Sequence, residues 1–236
     1  MQKVRDYKLT AELLDSYQHA ALDNARELLD EARVLLSNDY FARAYFLSLA
    51  SIEEAGKAYI AFDAKGRNLK DEGLCTKIKE RLEDHSGKIT SAFVGWISFS
   101  DSPREAVKTS VDLMIHLKRG REKSMYIDLK SDGITLSIPR EVVRPVAARD
   151  CTRLAENCLH HTERYIQDNK PSKRTTYQDK LLCIKQKTLT EMLNTEDFWE
   201  YYIDQLEHGN NSYDQAVVTY HDGFYKKKKV FKQATS

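Results

Sequence analysis

YFARAYFLSLASIEEAGKAYIAFDA, residues 40–64, is apolar on nearly every side through its first half. A helix with no polar face has nothing to present to water, so this segment belongs at the centre of a helical bundle. Gly56 lies inside it, where glycine costs about 1 kcal/mol relative to alanine. A close approach by a neighbouring helix accounts for a glycine at that position. Glu53, Glu54 and Lys57 then place three charges in the most apolar helix of the chain, and such residues are rarely buried unless paired or functional.

Working outward, residues 11–36 repeat apolar side chains at three- and four-residue steps, with Thr10 as the N-cap of a long helix packed on one face. Downstream, residues 66–73 read as a loop. A helix over 74–99 carries Ile78, Leu82, Ile89 and Phe93, and its middle, RLEDHSGK, is polar. A fourth helix opens on the capping box Ser102-Pro103-Arg104-Glu105 and runs to Arg119. The period then changes: MYIDLKSDGITLSIP, residues 125–139, predicts two short strands around a turn at Ser131-Asp132-Gly133. Helix returns over 144–169. The fold class expected is therefore all-α: an up-and-down helical bundle with one short β-hairpin before its last core helix.

Lys170-Pro171-Ser172-Lys173 marks the best boundary, dividing a bundle over 1–169 from a C-terminal extension over 170–236. The extension reads as helices over 177–193 and 196–207, the second capped by Thr195. A polar stretch, HGNNSYDQ, and a lysine-rich tail, YKKKKVFKQ, follow.

Composition narrows the function classes. With 37 Lys+Arg against 36 Asp+Glu, the chain lacks the strong positive balance of a generic nucleic-acid binder, so a site for nucleic acid must be a local cluster. Only 9 Gly and 4 Pro in 236 residues exclude a protein built from many tight turns. Cys75, Cys151, Cys158 and Cys183 are widely spaced. Cys151 and Cys158 lie two helical turns apart and read as small core residues, so no metal ligand set is expected. No apolar run reaches the roughly 18–20 residues of a membrane span, and the first residues lack the apolar stretch of a signal peptide. The expectation is a cytoplasmic protein with reduced thiols, free of membrane and cofactor.

Several charged groups could carry chemistry. Glu53 with Lys57, and Glu54 with Lys57, stand at helix spacings that favour ion pairs, so a structural pair is one reading of them. His85 has Arg81 one turn before and Lys88 one turn after it, which suits either a proton-transfer group between two cations or a solvated polar face. Lys118, Arg119, Arg121 and Lys123 form a basic run ahead of Tyr126 and Asp128, and a charge run of this kind also describes ordinary surface. Arg153 and His160, seven residues apart, share one helix face.

Taken together these segments resemble the AbiV-type HEPN proteins. Residues 40–58 are similar to that family's alanine-rich helix ending in Glu-Glu-Leu-Gly-Lys-Ala. His85-Ser-Gly-Lys88 matches its His-x-x-Lys element, and Arg121-Glu-Lys-Ser-Met-Tyr-Ile-Asp128 its basic stretch before Leu-Tyr-Val-Asp. The similarity spans roughly 10–169. It implies an antiphage abortive-infection protein, a metal-independent endoribonuclease acting as a homodimer, with a phage-encoded activator protein as a further partner and RNA as substrate. It implies catalysis by Glu54, His85, Lys88 and Arg121, with Glu53, Lys57, Arg81, Tyr126 and Asp128 in support and RNA held by Lys57, Arg119, Arg121 and Lys123. In such a site His85 serves as base or acid with Glu54 orienting it. Many HEPN nucleases instead carry Arg, four to six residues, then His; Arg153 and His160 fit that count, although they fall in mid-helix, and Arg81 with His85 does not. The alternative function is a non-catalytic helical dimer that acts by binding a protein or RNA partner.

Overall fold

The structure, a computed structural model, describes residues 7–98, Leu117 and 122–227. Apart from Leu117, the expected helix over 102–119, together with Arg119, Arg121, Lys228 and Lys229, lies outside the described residues. The chain divides into two compact units, Met1–Lys65 with Ile78–Ser172 and Gly66–Lys77 with Lys173–Ser236.

In the first unit α1 spans Ala11–Ser37 and α2 spans Phe41–Ala64. Thr10 Oγ1 accepts from the Leu13 amide at 3.1 Å, satisfying one of the free N–H groups at the start of α1. α2 is the central helix and packs against α1, α4 (His85–Ser98) and α6 (Pro145–Asp168). Ala44, Ala55, Ala58 and Ala61 are fully buried along it, so its neighbours can come close. Ser51 Oγ donates to the Ala25 carbonyl at 2.7 Å, and Lys65 reaches Asp15 at 2.6 Å. These pairings run α1 antiparallel to α2. Ser48 meets Thr152 at 2.8 Å, and the Tyr59 ring packs on Tyr165. Those pairings run α2 parallel to α6. Cys151 and Cys158 are buried free thiols in this core, and burial lifts the Cys158 thiol to about 12.

The helix expected over 74–99 is two helices, α3 over Glu72–Glu83 and α4. Asp84 breaks it: its carboxylate accepts from the Gly87 amide at 2.7 Å while its carbonyl accepts from Lys88, the pattern of a helix N-cap. His85 is therefore the first residue of α4 and does not sit in mid-helix.

The hairpin is present but minimal. β1 (Asp128–Leu129) pairs antiparallel with β2 (Leu136–Ser137), Asp128 opposite Ser137. Gly133 supplies the positive φ of 68° that the turn requires. Asp132 accepts from the Thr135 hydroxyl and from the Thr135 and Ile134 amides, which hold its carboxyl down at about 2. A short helix, α5 (Pro139–Val142), links the hairpin to α6 and packs on α2.

The second unit contains α7 (Thr176–Cys183), α8 (Gln186–Leu193), α9 (Glu196–Glu207) and α10 (Tyr213–Tyr220), which runs into a π-helical turn at His221–Tyr225. The single helix expected over 177–193 is broken at Ile184-Lys185, where the backbone is extended. Thr195 stands at the N-cap of α9, but its hydroxyl donates back to the Met192 carbonyl and caps no amide. The polar stretch before the tail ends at Ser212, which caps α10 by accepting from Gln215. Met192, Phe198, Val217 and Tyr220 form the buried core of this unit. The loop after α2 belongs here as well: Asp179 accepts from Arg67 at 3.1 Å and from the Asn68 amide at 3.2 Å. Among the described residues no helix is long and apolar enough to cross a membrane.

Candidate functional site

Glu53 is 6% exposed, in the middle of α2. One position later Glu54 lies at the edge of the core, where it pairs with Lys57 one turn on. The start of α4 completes the arrangement. His85 Nδ1 lies 2.7 Å from Glu53 Oε2, and Lys88 Nζ lies 3.0 Å from the same oxygen. Lys88 is itself only 5% exposed. Gly56 makes this approach feasible, because a Cβ there would fall 1.9 Å from the Lys88 carbonyl oxygen. The glycine expected to mark a close helix contact thus marks the junction of α2 with α4.

The electrostatics of Glu53 follow from its surroundings. Burial pushes its carboxyl upward, but the hydrogen bonds from His85 and Lys88 and their charges outweigh that and hold it below the ordinary carboxylate value. Glu53 is ionised at neutral pH and accepts the Nδ1 proton of His85. That bond leaves the neutral ring with a lone pair on Nε2. The His85 side chain is 51% exposed, and Nε2 has no protein partner among the described residues. A half-exposed imidazole braced from behind by a buried carboxylate can take up or deliver a proton at Nε2.

The other expected site residues are distributed differently. Glu53, not Glu54, contacts His85; Glu54 contacts Lys57. Lys88 is locked onto Glu53 and does not face solvent, since at its depth an ammonium needs its carboxylate. Arg81 donates to the buried Ser91 hydroxyl at 3.3 Å, tying α3 to α4. With α4 starting at His85, the expected Arg81–His85–Lys88 face of one helix does not exist. Lys123, Tyr126 and Asp128 are exposed at the hairpin, and no described contact joins them to His85.

Arg153 and His160 are exposed on α6. His160 lines a cleft with α1 in which Arg33 pairs with Glu156 at 2.7 Å and Arg26 with Glu163 at 2.6 Å. No described contact brings either residue to His85. The structure brings His85 and Lys88 into direct contact with Glu53, and Glu54 with Lys57 beside them.

The partnership of Glu53 had a signal in the sequence. Glu53 is three residues from Gly56 and so shares the face that the glycine opens, whereas Glu54, two residues away, is turned from it. Among the described residues no group of three His, Cys, Asp or Glu side chains is placed to hold a metal ion.

The AbiV model of the HEPN domains matches residues 13–160, which include most of α1, all of α2, the Glu53–His85–Lys88 cluster and the hairpin. No curated protein and no solved structure matches the chain. With well over half of its length matched by that model, the chain belongs to the AbiV family of HEPN proteins.

Proposed function

We propose that the protein is an antiphage abortive-infection factor that cuts RNA without a metal ion, with His85 as its proton-transfer residue and Glu53 as the carboxylate that positions it. The observation that carries this reading is the 2.7 Å contact from Glu53 to Nδ1 of a half-exposed imidazole. In the reaction, His85 Nε2 takes the proton of a ribose 2′-hydroxyl. The 2′-oxygen attacks the adjacent phosphorus, and the bond to the 5′-oxygen breaks. The products are a 2′,3′-cyclic phosphate and a 5′-hydroxyl, the leaving oxygen receiving a proton from a general acid. Lys88 acts through Glu53 and stays off the phosphate. Lys57, at the edge of the core, is the motif lysine nearer solvent. Assembly as a homodimer and triggering by a phage-encoded protein complete the proposal, with family membership as their support.

Purified protein incubated with RNA in EDTA, with and without the phage activator, tests it. Wild type yields fragments ending in 2′,3′-cyclic phosphate, and His85→Ala, altered at a half-exposed ring, stays folded and yields none. A second reading, a non-catalytic module that acts by binding a partner, is favoured by one observation: both motif lysines are held in ion pairs with glutamates. Under that reading no preparation cuts RNA, and His85→Ala still arrests growth in expressing cells.

A further inference from the structure

A pocket of about 850 Å³ opens at the N-terminal end of α2, lined by Asp39, Tyr40, Phe41 and Arg43 from the α1–α2 turn and the first turn of α2. Met125, Tyr126 and Ile127 before the hairpin, and Ile138, Pro139 and Arg140 after it, close the other side. Its volume lies within the range of about 300–1,000 Å³ common to small-molecule sites. It is separate from the Glu53–His85 pair, since ten residues of α2 between Arg43 and Glu53 correspond to about 15 Å along the helix.

Three features of the lining point to one ligand chemistry. Tyr40 and Tyr126 are 61% and 57% exposed, and neither ring packs on another aromatic side chain among the described residues. Large aromatic faces left in water beside an apolar floor of Phe41, Met125 and Ile138 suit a planar, half-polar group. Arg43 and Arg140 are exposed, and among the described residues no carboxylate pairs with either. They contrast with Lys57 and Lys88, whose charges are already neutralised. Asp39 adds an acceptor at the rim, suited to an exocyclic amine or a ribose hydroxyl. The turn carrying it is fixed, with Asp39 at φ 62° and the Tyr40 amide bonded to the Leu35 carbonyl at 2.9 Å.

We infer that this pocket binds a nucleoside phosphate, its base lying against Tyr40 or Tyr126 and the apolar floor, and its phosphate met by Arg43 and Arg140. Stacking on an aromatic side chain and a guanidinium pair on phosphate are the two elements by which proteins hold single nucleotides of any sequence. The ligand is either one nucleotide of a single-stranded RNA or a free mononucleotide. The assignment does not depend on RNA being cut at His85.

Fluorescence anisotropy with a labelled, 2′-O-methylated hexa-adenylate, which 2′-hydroxyl chemistry cannot cut, tests the site on the full chain. Wild type binds saturably. Arg43→Gln, Arg140→Gln and Tyr126→Ala each weaken binding by about tenfold, a loss in the range of one stacked base or one phosphate contact. Each arginine substitution also lowers the salt slope by about 0.7. Lys187→Gln, an equal change of charge on α8, leaves binding unaltered. If AMP displaces the oligomer the pocket takes a mononucleotide, and if only oligomers do so it takes a strand; either result upholds the assignment. Absence of binding by wild type overturns it, as does unchanged binding by Arg43→Gln and Arg140→Gln proteins that melt like wild type.

Discussion

Glu53 carries more of this molecule than its neighbours in the motif, because one oxygen of its carboxylate receives both His85 and Lys88. Replacing it by glutamine leaves the Lys88 ammonium buried beside a neutral amide. Breaking a buried pair from one side costs about 3–5 kcal/mol, so Glu53→Gln should lower unfolding free energy by that order in denaturant titrations. Glu53→Gln combined with Lys88→Met should recover most of the loss, since no charge is then stranded. The pH dependence has a definite sign. The folded value of Glu53 lies below its ordinary 4.5, so its contribution is fully present above that pH and fades as pH falls through the lowered value. The stability gap between wild type and Glu53→Gln should therefore be largest near neutrality and shrink below about pH 4. A gap that widens in acid would contradict the assignment.

At the scale of elements, the α2–α4 junction rests on Gly56. Alanine there gains about 1 kcal/mol of helix propensity, but its Cβ would lie 1.9 Å from a backbone oxygen that cannot rotate away. Overpacking of that kind costs about 1–3 kcal/mol and drives the helices apart, so Gly56→Ala should lower the melting temperature and loosen His85 from Glu53. A melting temperature at or above that of wild type would show that the contact yields easily. This junction was legible in the sequence, since a glycine and two acids in an otherwise apolar helix point to a close helix contact and a buried charge pair. The break at Asp84 was not. The apolar residues Ile78, Leu82, Ile89 and Phe93 keep helical spacing straight across it, and only the bond from the Gly87 amide to Asp84 reveals the cap. α10 was hidden for the opposite reason: HGNNSYDQ is polar enough to pass for a terminal loop, and its last four residues are the cap and first turn of a helix whose buried side chains come after them. The pairing with His85 was half legible: the motif holds two adjacent glutamates, and Glu53 meets the ring where Glu54 was expected to.

At the scale of the whole molecule, the chain is cut into two units that do not follow one another in sequence, because residues 66–77 pack with the C-terminal part. Asp179 holds Arg67 and the Asn68 amide, and the Arg174 amide donates to the Gly66 carbonyl at 2.9 Å. Removing residues 173–236 deletes every one of these partners. Amide exchange at 66–71 should then accelerate markedly while the centre of α2 keeps its protection, as expected when one cooperative unit is lost and another remains. Unchanged protection at 66–71 would show that the loop is held by the first unit. The proposed chemistry resides wholly in that first unit, within the span that the AbiV family model matches. In that proposal His85, positioned by Glu53, transfers a proton in metal-free RNA cleavage. The most direct measurement is the rate of RNA cleavage in EDTA by wild type and His85→Ala, each with the phage activator present, with fragment ends identified by mass. Cleavage by wild type to 2′,3′-cyclic phosphate ends, falling at least a hundredfold in His85→Ala, is the predicted result, in line with the usual contribution of about 10²–10⁴ from a positioned acid or base. Equal cleavage by a folded His85→Ala protein, or none by wild type, would contradict it.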